Sequence, residues 1–293
     1  MAYYSTNIGF YQPTAPKVCI FSLFVVIYYI MLKKNLSFHP RLGAGLDLFF
    51  GLVFWLSMRG IGNIWALLAW VVVRVLLWAV LVWLVSYVPG TKRWQHFASL
   101  GLFLVGALSF LIFIEWPFAW NLVGLILAFV PAFSFWLLPS VAGQPIFVFK
   151  PYRRWRLMMS TFGLLGLWSG GYAMATLQVF PFITWVFILV ATLISTLTAV
   201  WWLVEYGCEI NRSFWLWVIA IAMFILELST AVFLWPIGYF VSGFLLTWFW
   251  YIIWIMARFH LSTLGINWKK QIYFFAGNGI AILLFLLFIV RWR

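Results

Sequence analysis

Residues 61–88 form a 28-residue stretch whose one charge is Arg74. A helix needs only ~20 apolar residues to cross the hydrocarbon of a bilayer. A run of this length therefore predicts a membrane span that tilts or protrudes. The segment before it, 42–58, is also apolar and also carries one charge, Asp47. Between the two lies Arg59-Gly60-Ile61-Gly62, a turn. Asp47 is 13 residues before Gly60 and Arg74 is 14 after it. At about 1.5 Å per helical residue, an antiparallel hairpin sets the two charges at nearly the same depth. An unpaired charge at the bilayer centre costs ~2.5–3.5 kcal/mol on insertion scales. An arginine can offer two donors to one carboxylate, so a pair is expected. It either pins the register of the hairpin or gates, relays or binds; otherwise the two never meet and Arg74 snorkels to a lipid phosphate.

Composition extends this reading to the whole chain. Of 293 residues, 67% are hydrophobic and 8% charged, where soluble domains carry ~25% charge. The longest pieces that are not apolar, 1–17 and 139–156, are too short for a soluble domain. Residues 1–293 are thus expected to form a single integral membrane domain. The fold expected is all-α: a polytopic transmembrane helix bundle with short loops and no soluble domain. About ten spans are expected, near 18–32, 42–58, 61–88, 97–114, 118–138, 157–178, 182–204, 213–235, 237–257 and 271–290.

The net charge of +13 does not point to nucleic acid. The basic residues come in ones to fours between apolar spans, the pattern that orients membrane proteins. A nucleic-acid site would form a contiguous stripe. Loops after odd-numbered spans hold 13 Lys and Arg, and those on the opposite side hold four. This bias predicts a protein of the cell (inner) membrane with basic loops in the cytoplasm and both termini extracytosolic. Cys19 and Cys208 then fall on opposite faces, and no disulfide is expected. The segment 18–32 is flanked by Lys33 and Lys34 on its far side, unlike a cleaved signal peptide. Asn35-Leu-Ser37 and Asn211-Arg-Ser213 fall on the inner face and should stay unmodified.

Several local features suggest sites. Gly163, Gly166, Gly170 and Ala173 share a stripe on the sixth span, including a G-x-x-x-G. Helices in lipid associate over small residues, so the stripe seats another span of the chain or a second subunit. Gly170-Gly171 and Gly277-Asn278-Gly279 interrupt their spans and are candidate broken-helix binding sites. Pro131 lies within the fifth span and should kink it. Glu227, about eight residues from the outer end of its span, has no basic residue at matching depth. It is the candidate proton-coupling carboxyl, or a protonated group bonded to a neighbour such as Asn121. Lys150, Arg153, Arg154 and Arg156 form the densest basic cluster, which should contact anionic lipid headgroups at the cytoplasmic face. Trp250 and Trp254 share a face of the ninth span and suit either core packing or a flat apolar ligand.

Glu205 and Glu209 flank Cys208 in a loop and read as solvated. His39, His96 and His260 fall in inner loops with no metal spacing. No phosphate-binding glycine loop, zinc-protease helix or nucleophile elbow is present. No cofactor, metal or catalytic residue is expected. Three functions fit: a small secondary transporter or permease, which the broken spans and buried charges favour; a non-catalytic membrane subunit or scaffold; and an intramembrane enzyme or carrier for a lipid or isoprenoid. A transporter requires a path lined by Asp47, Arg74, Glu227 or Asn278.

Overall fold

The computed structural model describes residues 38–58, 64–87, 92–114, 116–139, 146–176, 181–262 and 268–288. Among them are nine helices, α1 (Pro40–Met58), α2 (Ile64–Leu84), α3 (Arg93–Phe113), α4 (Pro117–Trp136), α5 (Ile146–Thr176), α6 (Pro181–Glu205), α7 (Arg212–Leu234), α8 (Tyr239–His260) and α9 (Trp268–Phe288). They fall on the second to tenth expected spans. The first expected span, Cys19 and the turn at 59–62 lie outside the described residues. Among the described residues the one pairing between extended residues is a bridge from Phe38 to Val85, which ties the entry of α1 to the end of α2.

Eight of the nine helices are long and apolar enough to cross a membrane. The exception is α5, whose glycines and serines dilute its hydropathy. Its position gives the reason, because α5 lies between α3 and α8 and packs on both. A helix surrounded by other helices needs small residues for close approach rather than apolar bulk. A Cβ on Gly166 would sit 2.2 Å from the Gly106 carbonyl oxygen of α3, and one on Gly163 would sit 2.4 Å from that of Leu102. On the α8 side, a Cβ on Gly243 would meet Ser169 Oγ at 2.2 Å. The α1–α4 contact follows the same rule, with Gly51 against the Ala128 backbone at 2.9 Å.

The helix ends follow from local sequence. Pro117 opens α4, where its missing N–H is not needed. The Asn211 side chain caps α7 by accepting from Phe214 N at 2.9 Å. At the end of α6, Gly207 takes φ +80°. Its N–H donates to Val204 O, and that of Cys208 donates to Leu203 O. These two bonds define a Schellman cap.

Two expectations are corrected. Both glycine runs are continuous helix: Gly170 and Gly171 lie inside α5, and Gly277, Asn278 and Gly279 inside α9. Glycine in lipid need not break a helix when no water competes for its backbone bonds. The stretch 139–156, expected as loop, is from Ile146 onward the first turns of α5, with Pro151 inside the helix.

Tryptophans fill the interior. Trp78 anchors a core shared by α1–α4 and the first half of α5. Trp168, Trp202, Trp250 and Trp254 anchor a second core among α5–α8. Trp250 and Trp254 are buried and stack with centroids 6.3 Å apart, so they serve packing. At the margin, α9 meets α8 through Phe285 on Phe244 and a 2.8 Å bond from Trp248 Nε1 to Asn278 Oδ1.

The odd-numbered helices begin at one end of the bundle and the even-numbered ones finish there. Arg41, Arg93, Lys150, Arg153, Arg154, Arg212, Arg258 and Lys269 all lie at or near that end. It is called the basic end below.

Candidate functional site

The first polar site joins α1 to α2. Asp47 lies seven residues into α1 and Arg74 ten residues before the end of α2, about 10 and 15 Å from the basic end. Asp47 is fully buried and Arg74 is 2% exposed. Arg74 Nη2 is 2.9 Å from Asp47 Oδ1, and Nη1 donates to the Asp47 backbone carbonyl at 3.3 Å. One turn on from Arg74, Trp78 donates Nε1–H to the same Oδ1 at 2.7 Å. The guanidinium also lies 4.7 Å from the centroid of the Trp78 ring. One carboxylate oxygen is thus shared by a cation and an indole, and the cation is packed on that indole. Asp47 Oδ2 and Arg74 Nε make no hydrogen bond. The arrangement ties α1 to α2 through side chains.

A second buried site joins α3 to α4 and was not foreseen. His96 sits in the first turn of α3 and is fully buried. Its Nδ1 is 2.7 Å from Tyr87 Oη and its Nε2 is 2.7 Å from Ser134 Oγ. Ser134 Oγ donates to the Pro131 carbonyl at 2.5 Å. A hydroxyl has one proton, so Ser134 accepts from His96 Nε2–H, and Nδ1 accepts from the Tyr87 hydroxyl. The bonds run in one direction, Tyr87 to His96 to Ser134 to Pro131. Histidine donates to the serine instead of drawing off its proton, so Ser134 is no activated nucleophile. The chain latches the ends of α3 and α4 beside Pro131. The other two histidines take no part in this chain. His39 is exposed and accepts from Arg41 N, and His260 is exposed beside the Trp217 ring.

The third site corrects two expectations. Arg156, expected at lipid headgroups, is 1% exposed. Glu205, expected to be solvated, accepts from Arg156 Nη2. The extra turns of α5 carry Arg156 below the surface, and the last residue of α6 supplies its counter-charge. Arg156 is packed against the rings of Tyr152, Trp201 and Trp202 at 5.1–5.6 Å. Lys150 and Arg154 are exposed, and Arg153 is half-buried with its guanidinium 4.2 Å from the Tyr206 ring centroid.

The remaining candidates do not converge. The side chain of Glu227 is exposed on the outer face of α7 and makes no ion pair among the described residues. Asn278 is engaged between α8 and α9, where it also donates Nδ2–H to Phe274 O at 2.8 Å. Gly163, Gly166 and Gly170 are covered by α3 of the same chain, and Ala173 is buried. The stripe therefore offers no open small-residue face to a second subunit. Among the described residues no group of three or more His, Cys, Asp and Glu side chains could hold a metal ion.

The missed pairings left a trace in the sequence. His96 and Ser134 are each 19 residues from Glu115, which lies between their helices. The same depth count that relates Asp47 to Arg74 relates these two. No protein-family model, curated protein or solved structure matches the chain.

Proposed function

We propose that this protein is a non-catalytic membrane subunit, and that the outer face of α7 seats a transmembrane segment of a partner. The observation that carries this reading is the exposed carboxyl of Glu227. It lies 15 residues after Arg212 and seven before Leu234, about 22 and 10 Å from the two ends of α7. That depth is inside the hydrocarbon. A carboxyl facing acyl chains is costly, and such groups normally face a bundle interior or a water-filled cavity. Contact with a partner helix that carries a basic or hydrogen-bonding side chain at the same depth removes that cost. Ala220 and Ala231, exposed on the same helix, permit close approach. Leu216, Met223 and Leu234 supply apolar contact on that face.

The other polar groups agree with this role. Asp47 is matched by Arg74, His96 by Tyr87 and Ser134, and Glu205 by Arg156. Each set fastens helices together. The groups named for a permease path, Asp47 with Arg74, Glu227 and Asn278, sit at three separate places, which favours the subunit reading. We read the membrane as the cell membrane, with the basic end toward the cytoplasm. Counting 18–32, the chain then has ten spans with both termini outside.

The test uses single cysteines at Met223 and Ala231, with Leu189 and Leu193 on the exposed face of α6 as controls. All are placed in a chain with Cys19 and Cys208 changed to serine. Cross-linking in native membranes should give one adduct of defined mass from the α7 positions, and Glu227→Leu should abolish it. Equal adducts from α6 and α7, or an α7 adduct indifferent to Glu227→Leu, would defeat the reading.

A further inference from the structure

The Schellman cap at Gly207 turns the chain sharply at the basic end and leaves Tyr206 as the last residue before the reversal. Two guanidiniums from different helices converge on its ring. Arg153 of α5 lies 4.2 Å from the ring centroid and Arg258 of α8 lies 3.8 Å from it. Arg258 also reaches Trp254, at 6.0 Å. Two like charges on one ring repel unless something compensates them. Among the described residues no carboxylate does so. Asp47 is held by Arg74 and Glu205 by Arg156. Glu227 is on the outer face of α7, and Glu209 is exposed and makes no ion pair. Neither Arg153 nor Arg258 makes a hydrogen bond within the described chain, so both forks of donors are open.

The surroundings point the same way. Trp254 Nε1 is buried without a hydrogen-bond partner, and it can only donate. Its ring packs against Tyr206 and lies 6.0 Å from the Arg258 guanidinium. Trp254 is 1% exposed, while Arg153, Tyr206 and Arg258 are half-buried at the basic end. The cluster combines an uncompensated positive charge with an unmet donor at the end of the bundle that carries the basic residues. A guanidinium fork matches a phosphate group bidentately.

We propose that Arg153 and Arg258, set on Tyr206, bind the phosphate of an anionic phosphate ester. A lipid headgroup and a free phosphate compound share this chemistry. The site does not depend on the partner surface proposed for α7, and either can fail without the other.

Native mass spectrometry of the full chain, released from nanodiscs of phosphatidylcholine with phosphatidylglycerol added, reads the site directly. The wild type should retain phosphatidylglycerol in preference to phosphatidylcholine. Arg153→Gln with Arg258→Gln should weaken that retention at least about tenfold, the scale of one lost charge-assisted bond or more. Arg212→Gln with Lys269→Gln removes the same charge from exposed positions at the basic end and should leave retention intact. Arg153→Lys with Arg258→Lys keeps the charge and loses the fork, so retention should be intermediate; this variant covers the case in which the glutamine pair does not fold. Added inorganic phosphate distinguishes the sources. Displacement of the lipid assigns the site to free phosphate compounds as well, and retention assigns it to the headgroup. No preference for phosphatidylglycerol together with no phosphate-induced thermal shift, or equal losses in the two glutamine pairs, would overturn the proposal.

Discussion

Asp47 and Arg74 stand 27 residues apart in the chain and meet 2.9 Å apart in the first described hairpin, with Trp78 donating to the same carboxylate oxygen. Removing one member leaves the other as an uncompensated charge inside the bundle, which typically costs 3–5 kcal/mol, whereas removing both is far milder. Asp47→Ala should therefore sharply lower yield and melting temperature in detergent. Asp47→Ala combined with Arg74→Leu should restore most of the loss. A double variant no more stable than the single would rule out the ion pair as the cause. Trp78→Phe keeps the aromatic face and loses the N–H, so it should cost about 1.5–3 kcal/mol, the range for a bond to a charged group.

The α3–α5 contact is backbone on backbone. A Cβ on Gly166 meets the Gly106 carbonyl at 2.2 Å, while one on Gly277 in α9 meets nothing within 4 Å. Gly166→Ala should destabilise by about 1–3 kcal/mol or more through overpacking. Gly277→Ala should be neutral or stabilising by about 0.5–1 kcal/mol, because alanine is the better helix former. Melting temperatures of the two variants, side by side, check the contrast.

Gly207 carries the positive φ that closes α6. Substitution by alanine forces a left-handed conformation worth roughly 1–2 kcal/mol, and asparagine should cost less than alanine. Because the same turn presents Tyr206, Gly207→Ala should also weaken phosphatidylglycerol retention. Lost stability with unchanged retention would separate the cap from the arginine cluster.

Cys208 follows that cap. Burial pushes its thiol above the ordinary value, and the positive charge of Arg258 partly opposes the rise. The thiolate is the reactive form, so alkylation at neutral pH should be slow and should accelerate only above the usual thiol range. Arg258→Gln removes the opposing charge. The thiol should then rise further, and alkylation at a fixed alkaline pH should slow. Maleimide labelling against pH in a Cys19→Ser chain measures both, and faster labelling in the Arg258 variant would contradict the assigned cause.

What could be foreseen divides along a physical line. The helical class and the span positions were legible because apolar runs of ~20 residues suit a bilayer. Depth was legible wherever two helices are consecutive, as for Asp47 with Arg74 and, unnoticed, for His96 with Ser134. Counted from the α5–α6 turn, Arg156 and Glu205 also fall within about one helical turn of each other. The basic composition of 150–156 hid this by reading as loop. The continuity of the helix through Gly170-Gly171 and Gly277-Asn278-Gly279 was not legible, since glycine breaks helices in water and is tolerated in lipid.

The sequence by itself determined that the described chain is a set of apolar helices, where their charges lie along the axis, and which end is basic. Rise per residue is constant, so distance along the chain becomes depth. The tertiary structure decided the rotation of each helix and its neighbours beyond the next in sequence. It turned Asp47 inward and Glu227 outward, closed the Gly163–Gly170 stripe against α3, and brought Arg258 to Arg153 across Tyr206. Those outcomes depend on how all the helices pack at once, because in so uniformly apolar a chain no single helix has a polar face to set its rotation.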